Sequence, residues 1–129
     1  MKTLELKHLA PYLPYELMLW DGEESFKMLT EYIIVVQQEG WKPILRPLSD
    51  LTKEIEHNGE KFVPIERIFK PDMIKILGGV EEIYKTWVKD GKITTALTLD
   101  AWQKFYEWHI DCFSLIENNL AVDINTLNK

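Results

Sequence analysis

The residues best able to do chemistry lie within four positions of one another, at His109, Asp111 and Cys112. Imidazole, carboxylate and thiolate groups are the ligands of zinc, which takes four protein ligands or three and a water molecule. On a helix, His109 and Cys112 share a face, whereas Asp111 lies about 100° around the axis from Cys112. The other histidines, His8 and His57, are isolated in sequence, and there is no second cysteine. The sequence therefore predicts no metal site and no cofactor.

The same residues could supply a nucleophile, because a thiol activated by an imidazole attacks carbonyl carbon atoms. Such a pair also needs a third group to orient the base, and a cysteine three residues from a histidine on an aromatic helix face is more often part of a core. We expect His109 to be largely buried between Phe105, Tyr106 and Phe113, with a ring nitrogen bonded to a carboxylate or carbonyl group. No catalytic residue is predicted. The alternative is a small hydrolase or metal-dependent enzyme that uses His109 with acids from elsewhere in the chain.

Two further patterns admit a chemical role and a simpler structural one. Gly78-Gly79 lacks the lysine and the strand-to-helix setting of a phosphate-binding loop, so it is expected to end a helix. The carboxylates of Glu23-Glu24 and Glu81-Glu82 are adjacent in sequence rather than facing each other, as is typical of solvated surface. Neither pattern predicts a site.

A long helix over residues 100–118 is predicted to position His109 and its neighbours. Asp100 with Gln103 fits a capping pair at its start, and Asn118-Asn119 can take the left-handed conformation that ends a helix. Aromatic and apolar residues follow the three-four spacing that places side chains on one helix face. They are Trp102, Phe105, Tyr106, His109, Cys112, Phe113 and Ile116. This face is therefore expected to be buried.

The same stretch predicts an interaction surface. Five tryptophans in 129 residues are more than a core of this size requires. Trp108 lies at the edge of the apolar arc near Leu115, and Ile110 lies outside that arc. Apolar patches rimmed by polar groups are typical of binding sites, so Trp108, Ile110 and Leu115 form the predicted surface for a partner or a second copy. The alternative, which is slightly favoured, is that they pack against the sheet and the neighbouring helix of the chain itself.

Composition and charge limit the class of protein. A chain of 129 residues with 46% hydrophobic content is sufficient for one domain, predicted to span residues 1–129. The single cysteine indicates a reducing compartment, and no apolar run approaches the ~18 residues of a membrane span, so a cytoplasmic protein without membrane contact is predicted. The net charge of −6 repels phosphate backbones, which disfavours nucleic acid as a partner.

A local basic patch is the remaining route to nucleic-acid binding. It requires several cationic side chains to share one face, with Trp41 or Phe69 stacking on bases. The cations are Arg46, Lys53, Lys61, Arg67, Lys70 and Lys75. This third interpretation of the function depends on their being brought together by the fold.

The order of the elements predicts an α+β fold, with a small antiparallel sheet from the N-terminal third packed against C-terminal helices. Residues 16–20 and 25–29 are predicted to be strands joined at Asp21-Gly22. Residues 32–36 form a β-branched apolar run typical of a central strand, and residues 41–45 a further strand that prolines confine to an edge or a bulge.

Proline and glycine divide the rest of the chain. The APYLPYE segment, with Pro11 and Pro14, is predicted to be an extended connector. A short surface helix is expected from Ser49 to a stop at Asn58-Gly59. Three more helices are predicted in PIERIF, in PDMIKIL up to Gly78-Gly79, and over residues 80–89.

The tail over residues 120–127 is predicted to be docked. Leu120, Val122 and Ile124 alternate with small or polar residues, which is the period of a strand with one apolar side. A disordered tail would have no reason for this pattern. The tail is expected to add a strand or an extended cover to the N-terminal sheet, or to reach a second copy.

Three blocks of the sequence form a distinctive set: residues 6–17 (LKHLAPYLPYEL), residues 42–65 (KPILRPLSDLTKEIEHNGEKFVPI) and residues 108–128 (WHIDCFSLIENNLAVDINTLN). Together they resemble a family of small uncharacterised proteins encoded in bacteriophages and integrated prophages. The resemblance implies a phage-derived intracellular protein and carries over no catalytic or binding residue. The family is expected to have Tyr-Gly where this chain has Tyr15-Glu16, so a turn that needs glycine would differ there.

The function predicted from these features is a non-enzymatic protein–protein interaction module, in virion assembly or host modulation. An acidic composition, excess aromatic residues and an incomplete active-site set favour it. The partner is an unidentified protein or a second copy of the chain. The hydrolase alternative would instead require titratable groups that converge in a cleft.

Overall fold

Residues 6–27, 40–90, 92–93 and 97–127 are described by a computed structural model with mixed α+β architecture. Contacts between Cα atoms group the chain into two compact units. Unit 1 comprises Met1–Pro47 and Gln103–Lys129, and unit 2 comprises Leu48–Trp102. The single domain over residues 1–129 remains a prediction.

The sheet of unit 1 has four strands in the order β2-β1-β3-β8. β1 (Met18–Trp20) pairs antiparallel with β2 (Ser25–Lys27) and with β3 (Lys42–Leu45). β8 (Val122–Asp123) pairs parallel with β3. The three N-terminal strands confirm the predicted antiparallel pairing, and β8 makes the sheet mixed. The central strand predicted at residues 32–36 lies outside the described residues.

The side chain of Asp21 organises the turn between β1 and β2. Its Oδ1 atom accepts the N–H groups of Glu23 and Glu24, each at 2.8 Å. Gly22, with φ of 108°, provides the positive φ that the turn requires. The amides of Glu24 and Glu23 hold the pKa of the Asp21 carboxyl below its usual value. The predicted hairpin at Asp21-Gly22 is thus confirmed.

Alternation of side chains gives the sheet of unit 1 two faces. On one face, Leu19 lies opposite Pro43, and both are buried together with Leu45. On the other face, Met18 and Trp20 project on either side of Leu19. The core of unit 1 gathers behind the first face and consists of Leu9, Tyr12, Leu17, Leu19, Leu45, Leu115 and Ala121.

The segment before β1 is helical rather than extended. α1 (Leu6–Leu9) continues into a 3₁₀ helix, Ala10–Tyr15, so the predicted connector is wrong. The fixed φ of proline is compatible with a 3₁₀ helix, and this helix carries Tyr12 into the core. It ends at Glu16, whose φ of 57° and ψ of 50° are left-handed.

We expect the substitution Glu16→Gly to raise the free energy of unfolding by about 0.5 to 1 kcal/mol. A left-handed residue with a Cβ atom costs about 1 to 2 kcal/mol, which exceeds the entropic cost of glycine. The ion pair that would be lost, Lys27 Nζ to Glu16 Oε1 at 3.8 Å, is exposed and contributes little. Urea unfolding is the measurement. Glu16→Gln, which keeps the Cβ atom and removes the charge, should show no gain, and an equal gain would contradict the strain argument.

Unit 2 begins with a 3₁₀ helix, Leu48–Thr52, followed by a hairpin of β4 (Ile55–His57) and β5 (Glu60–Phe62). Asn58-Gly59 forms the hairpin turn, with φ values of 52° and 84°. The short helix predicted from Ser49 is present as a 3₁₀ helix that ends at Thr52, and its predicted continuation to a stop at Asn58-Gly59 is wrong. Both residues favour positive φ, which ends a helix but equally closes a two-residue hairpin.

Three helices and a second hairpin complete unit 2. α2 (Pro64–Ile68), α3 (Pro71–Ile76) and α4 (Val80–Trp87) confirm the three predicted helices, and proline begins the first two. The helix predicted over residues 80–89 ends at Trp87, because residues 88–89 form a strand. β6 (Val88–Lys89) and β7 (Lys92–Ile93) then pair antiparallel. The buried apolar residues of unit 2 are Leu48, Leu51, Ile55, Ile65, Ile83, Trp87, Val88 and Ala101.

α3 ends at the predicted glycines. The Gly79 N–H donates to the Ile74 carbonyl at 2.8 Å, and the Gly78 N–H donates to the Lys75 carbonyl at 3.2 Å. This pair of bonds around a left-handed Gly78, with φ of 95°, is a Schellman ending.

The last long helix is shorter than predicted. α5 (Leu99–Glu107) stops well before residue 118, so the predicted helix over residues 100–118 is wrong beyond Glu107. The Ile110 N–H donates to the Phe105 carbonyl at 2.8 Å, and the His109 N–H donates to the Tyr106 carbonyl at 3.1 Å. His109 has φ of 60°, so it takes the left-handed position of a Schellman ending that glycine usually occupies.

Beyond α5 the chain runs beside β3 and returns to the sheet. The Arg46 N–H donates to the His109 carbonyl at 2.7 Å, and the Asp111 N–H donates to the Arg46 carbonyl at 2.8 Å. A second Schellman ending forms at Asn119, with φ of 61°, as the predicted left-handed conformation at Asn118-Asn119 requires. β8 and the short α6 (Ile124–Leu127) follow. The prediction that the tail is docked is confirmed by its pairing with β3.

Candidate functional site

His109, Asp111 and Cys112 lie in the turn after α5, and each has a different environment. His109 is half-buried beside a cavity, Asp111 faces backbone amides, and Cys112 faces the hydroxyl of Tyr12. Within the described part of the chain, no group of three or more histidine, cysteine or acidic side chains is placed to hold a metal ion. Closeness in sequence has therefore not produced a shared chemical site.

His109 is fixed by a backbone carbonyl group. Its Nε2 atom lies 2.6 Å from the carbonyl oxygen of Tyr15. Because a carbonyl oxygen only accepts, Nε2 must carry the hydrogen in this contact. The predicted bond from a ring nitrogen to a carbonyl group is confirmed. The ring is half-buried rather than largely buried, because the left-handed backbone turns it away from the helix face on which it was expected.

The carboxylate of Asp111 caps the turn that follows it. Oδ1 accepts the N–H groups of Leu115 at 2.9 Å and Phe113 at 3.3 Å, and Oδ2 accepts the N–H of Ile116 at 2.9 Å. The side chain is only 5% exposed. Burial raises the pKa of Asp111 from its usual value, against the opposing effect of the three amides. Its role is to hold the backbone of residues 111–116.

Tyr12 and Cys112 meet on the core side of the same turn. The Tyr12 hydroxyl donates to the Ile110 carbonyl at 2.5 Å and accepts the Cys112 N–H at 3.0 Å. Burial raises the pKa of the tyrosine hydroxyl far above its usual range, and it raises the pKa of the Cys112 thiol to about 12. At neutral pH the cysteine is therefore a protonated thiol, which is a poor nucleophile and a poor metal ligand.

We expect Cys112 of the folded protein to react with iodoacetamide at pH 8 at least about a hundredfold more slowly than the same cysteine in urea. The thiolate is the reactive form, and a pKa near 12 instead of roughly 8.5 lowers its population by more than that factor. Mass spectrometry of the labelled protein over time gives both rates. Equal rates in the two states would show an activated or freely accessible thiol and would revive the Cys-His interpretation.

An open cavity of about 320 Å³ lies on the second face of the sheet of unit 1. β1, β2 and β3 supply strand side chains, His109 comes from the turn after α5, and α6 supplies two apolar side chains from the docked tail. Ser25 lies opposite Trp20 in the strand register, which brings both to the same face. The lining residues are Met18, Trp20, Ser25, Ile44, His109, Ile124 and Leu127.

The lining of the cavity limits its chemistry. Apart from one imidazole and one hydroxyl, the lining side chains are aliphatic, a thioether or an indole. Cavities of this kind bind apolar groups and use a few polar atoms to orient them, and binding pockets commonly measure about 300 to 1,000 Å³. This cavity is at the small end of that range. It can hold one large apolar side chain or a small apolar ligand.

Comparisons with protein-family models, curated proteins and solved structures found no match to this chain. No helix in the described ranges is both long enough and apolar enough to cross a membrane. The candidate site therefore rests on the geometry of the chain alone.

The three residues predicted to form an interaction surface lie in the interior. Trp108 is 5% exposed, and Ile110 and Leu115 have no exposed surface. Ile110 is carried inward because it bridges to Arg46 beside β3, and Leu115 joins the core cluster of unit 1. Since these side chains are buried within the chain, they do not line its surface, and the cavity replaces them as the candidate contact.

The residues proposed for nucleic-acid binding are divided between the units. Arg46 and Trp41 belong to unit 1, where Arg46 is buried and Trp41 packs against the core. In unit 2, Arg67 pairs with Glu60 at 2.7 Å and stacks 4.4 Å above the Phe62 ring centre. The ring of Phe69, also in unit 2, lies 5.6 Å from that of Trp87. Base stacking would require aromatic and guanidinium groups that are open to a ligand. The Arg67 guanidinium and the Phe69 ring instead contact other side chains of unit 2.

Unit 2 exposes apolar side chains that the sequence pattern did not single out. α3 has no buried residue, and Met73, Ile76 and Leu77 are 43%, 75% and 44% exposed. The spacing of three and four residues places them on one side of this short helix. They form a second apolar surface, named here the α3 patch. The signal available in the sequence was the concentration of apolar residues in a helix only two turns long.

Proposed function

We propose that this protein is a non-enzymatic protein–protein interaction module, and that the cavity of unit 1 receives an apolar side chain of its partner. The observation that supports this is the cavity lining, which is apolar except for His109 and Ser25. Apolar pockets filled by one anchoring side chain are typical centres of protein interfaces. The proposal replaces the predicted surface at Trp108, Ile110 and Leu115 by a cavity that His109, from the same segment of the chain, helps to line.

The hydrogen bonds of His109 and Asp111 and the raised pKa of the Cys112 thiol favour this function over a hydrolase. Nε2 of His109 donates a hydrogen bond to the Tyr15 carbonyl, and both carboxylate oxygens of Asp111 accept hydrogen bonds from backbone N–H groups. The Cys112 thiol has its pKa raised to about 12. Among the residues that line the cavity, His109 is the one with an ionisable side chain. General acid–base catalysis normally needs a second group within hydrogen-bond reach of the reacting atoms.

The proposed setting is the cytoplasm of a bacterial cell that carries the phage or prophage, where the module would act in virion assembly or host modulation. Two observations support it. One is the resemblance of residues 6–17, 42–65 and 108–128 to phage-encoded proteins. The other is the single cysteine, which is typical of a reducing compartment.

Affinity capture from infected or lysogenic cells, with a cavity-blocking variant, tests this function. Ser25 is exposed at the cavity edge, so Ser25→Trp should fill the cavity without disturbing the core. Glu23→Trp adds the same ring to the exposed turn and serves as the matched control. Ile76→Ser removes the most exposed side chain of the α3 patch. We expect a partner retained by the wild type, Glu23→Trp and Ile76→Ser, and lost by Ser25→Trp.

Unchanged capture by a folded Ser25→Trp protein would contradict the role of the cavity. Loss with Ile76→Ser alone would move the contact to the α3 patch. Thermal unfolding of each variant shows whether a loss of capture reflects a loss of folding. A substitution of an exposed residue should change stability by no more than about 0.5 kcal/mol.

A further inference from the structure

The charged residues next to the cavity have one sign. Among the sequence neighbours of the lining residues, those that carry charge are Asp21, Glu24 and Asp123. Asp21 follows Trp20, Glu24 precedes Ser25, and Asp123 precedes Ile124. Each carboxylate therefore belongs to a residue whose Cα atom is about 3.8 Å from that of a lining residue. Asp21 and Glu24 are exposed, and Asp123 is half-buried.

These carboxylates are held in ordered backbone. The turn bonds of Asp21 keep its pKa low, so the group is ionised at neutral pH. Asp123 accepts the Asn125 N–H through Oδ1 at 2.8 Å, which fixes it at the start of α6. The acidic groups thus lie at two places around the cavity, the β1–β2 turn and the junction of β8 with α6.

Two lysines on the same face of the sheet do not cancel this charge. Lys27 lies 3.8 Å from the Glu16 carboxylate and is balanced by it. The Nζ atom of Lys42 donates to Oδ1 of Asn119 at 3.0 Å, which directs it toward that amide. Among the described residues, this leaves three carboxylates and one cation, Lys42, whose charge is not balanced by an acid in these contacts. The described residues next to the cavity lining are therefore net negative, in keeping with the −6 charge of the chain.

From this arrangement we infer that the occupant of the cavity is an extended partner segment in which one large apolar side chain is flanked by lysine or arginine. The apolar side chain would fill the 320 Å³ cavity, and the cations would lie over the Asp21–Glu24 turn and Asp123. Charge complementarity of this kind selects partners and speeds their association. The inference rests on the proposed function, since it names the chemistry of the segment that the interaction module would bind.

Titration of the 129-residue chain with synthetic peptides tests the inference. The probe is Gly-Lys-Gly-Phe-Gly-Lys-Gly, compared with the same peptide carrying glutamate in place of lysine, glutamine in place of lysine, or serine in place of phenylalanine. Calorimetry and tryptophan fluorescence measure the affinity. We expect the lysine–phenylalanine peptide to bind, the glutamine peptide to bind about tenfold more weakly, and the glutamate and serine peptides more weakly still.

Protein variants separate charge from shape. Asp21→Asn, Glu24→Gln and Asp123→Asn in one chain remove the acidic charge, and the asparagines keep the Oδ1 acceptors of the turn bonds. This triple variant should bind the lysine peptide about tenfold more weakly and the glutamine peptide equally well. The matched control neutralises three exposed acids of unit 2, Glu66, Glu81 and Glu82, to glutamine, and should bind as the wild type does. Ser25→Trp should abolish binding of every peptide.

Equal affinity for the lysine and glutamate peptides would overturn the charge argument. Absence of binding by all peptides, or binding unaffected by Ser25→Trp, would overturn the inference as a whole. If the occupant is a second copy, light scattering would show an oligomer of the wild type that Ser25→Trp dissociates, which also overturns it. Partner capture that is lost with Ser25→Trp while the peptides do not bind would leave the proposed function standing and this inference refuted.

Discussion

Replacement of Asp111 by alanine is expected to lower the free energy of unfolding by about 2 to 4 kcal/mol. The carboxylate accepts three backbone N–H groups, from Phe113, Leu115 and Ile116. Alanine would leave these donors without an acceptor in a turn where Leu115 is fully buried, and each unpaired buried group costs about 1 to 3 kcal/mol. Urea unfolding followed by tryptophan fluorescence measures the loss.

Two variants control for this result. Asp111→Asn keeps one oxygen, so the amides of Leu115 and Phe113 retain an acceptor while that of Ile116 faces an NH₂ group, and the loss should be about half as large. Glu117→Ala removes an exposed acid from the same segment and should change stability by less than about 0.5 kcal/mol. A loss for Asp111→Ala no greater than for Glu117→Ala would contradict the capping role.

The pH dependence of Asp111 has a definite sign. Its pKa is raised in the folded state, so the folded protein holds this proton more tightly than the unfolded chain does. Stability from this group is therefore fully present below the unfolded pKa of about 3.9 and falls as the pH rises through the folded value. Asp111→Asn has no such proton and should lack that slope, which distinguishes the titration of Asp111 from the general acid unfolding of the protein.

The spacing of aromatic residues predicted a helix through His109 and Cys112 because it records which side chains are buried, not which backbone bonds form. Phe105 and the other side chains of the predicted apolar face, together with Leu115, are indeed buried or half-buried. The backbone, however, finds other partners after Glu107, namely Arg46 beside β3 and the side chain of Asp111. An aspartate competes with a helix for amides, so Asp111 was the available local signal for the break. The bonds with Arg46 depend on long-range packing and leave no local pattern.

The elements around the cavity were more predictable than the cavity itself. The hairpin at Asp21-Gly22, the strand at β3 and the docked tail follow from turn residues and alternation, and each is confirmed. β3 is an inner strand between β1 and β8, however, so the edge position predicted from its prolines is wrong. The cavity requires His109 to be left-handed and α6 to follow β8 directly. Neither condition is a local preference, since positive φ is uncommon for any residue with a Cβ atom and the alternation over residues 120–127 predicted a longer strand. The predicted helix places Trp108 at the edge of its apolar arc, which left a surface position and packing within the chain as alternatives, and the second agrees with its burial.

Replacement of Tyr12 by phenylalanine is also expected to lower the free energy of unfolding by about 2 to 4 kcal/mol. The ring would stay in the core, but the Ile110 carbonyl would lose its donor and the Cys112 N–H its acceptor. Ile110 and Tyr12 have no exposed surface, so water does not replace the hydroxyl without rearrangement. Urea unfolding gives the loss, and hydrogen exchange should show faster exchange of the Cys112 amide.

Tyr15→Phe is the matched control, because Tyr15 belongs to the same 3₁₀ helix and is half-buried. It should lose less than about 0.5 kcal/mol. An equal loss of stability from the two substitutions would contradict the argument. It would show that the two hydrogen bonds of Tyr12 add no more to the free energy of unfolding than the Tyr15 hydroxyl does.

The Tyr12 and Asp111 predictions are coupled, because both side chains hold the same turn. The Tyr12 hydroxyl donates to the Ile110 carbonyl and accepts the Cys112 N–H, and the Asp111 carboxylate accepts the backbone N–H groups that follow. Once one side chain is removed and the turn loosens, the other has less ordered backbone to stabilise. The double variant should therefore lose less stability than the two single variants added together, by about 0.5 to 3 kcal/mol. Strict additivity would show that the turn does not form as a unit.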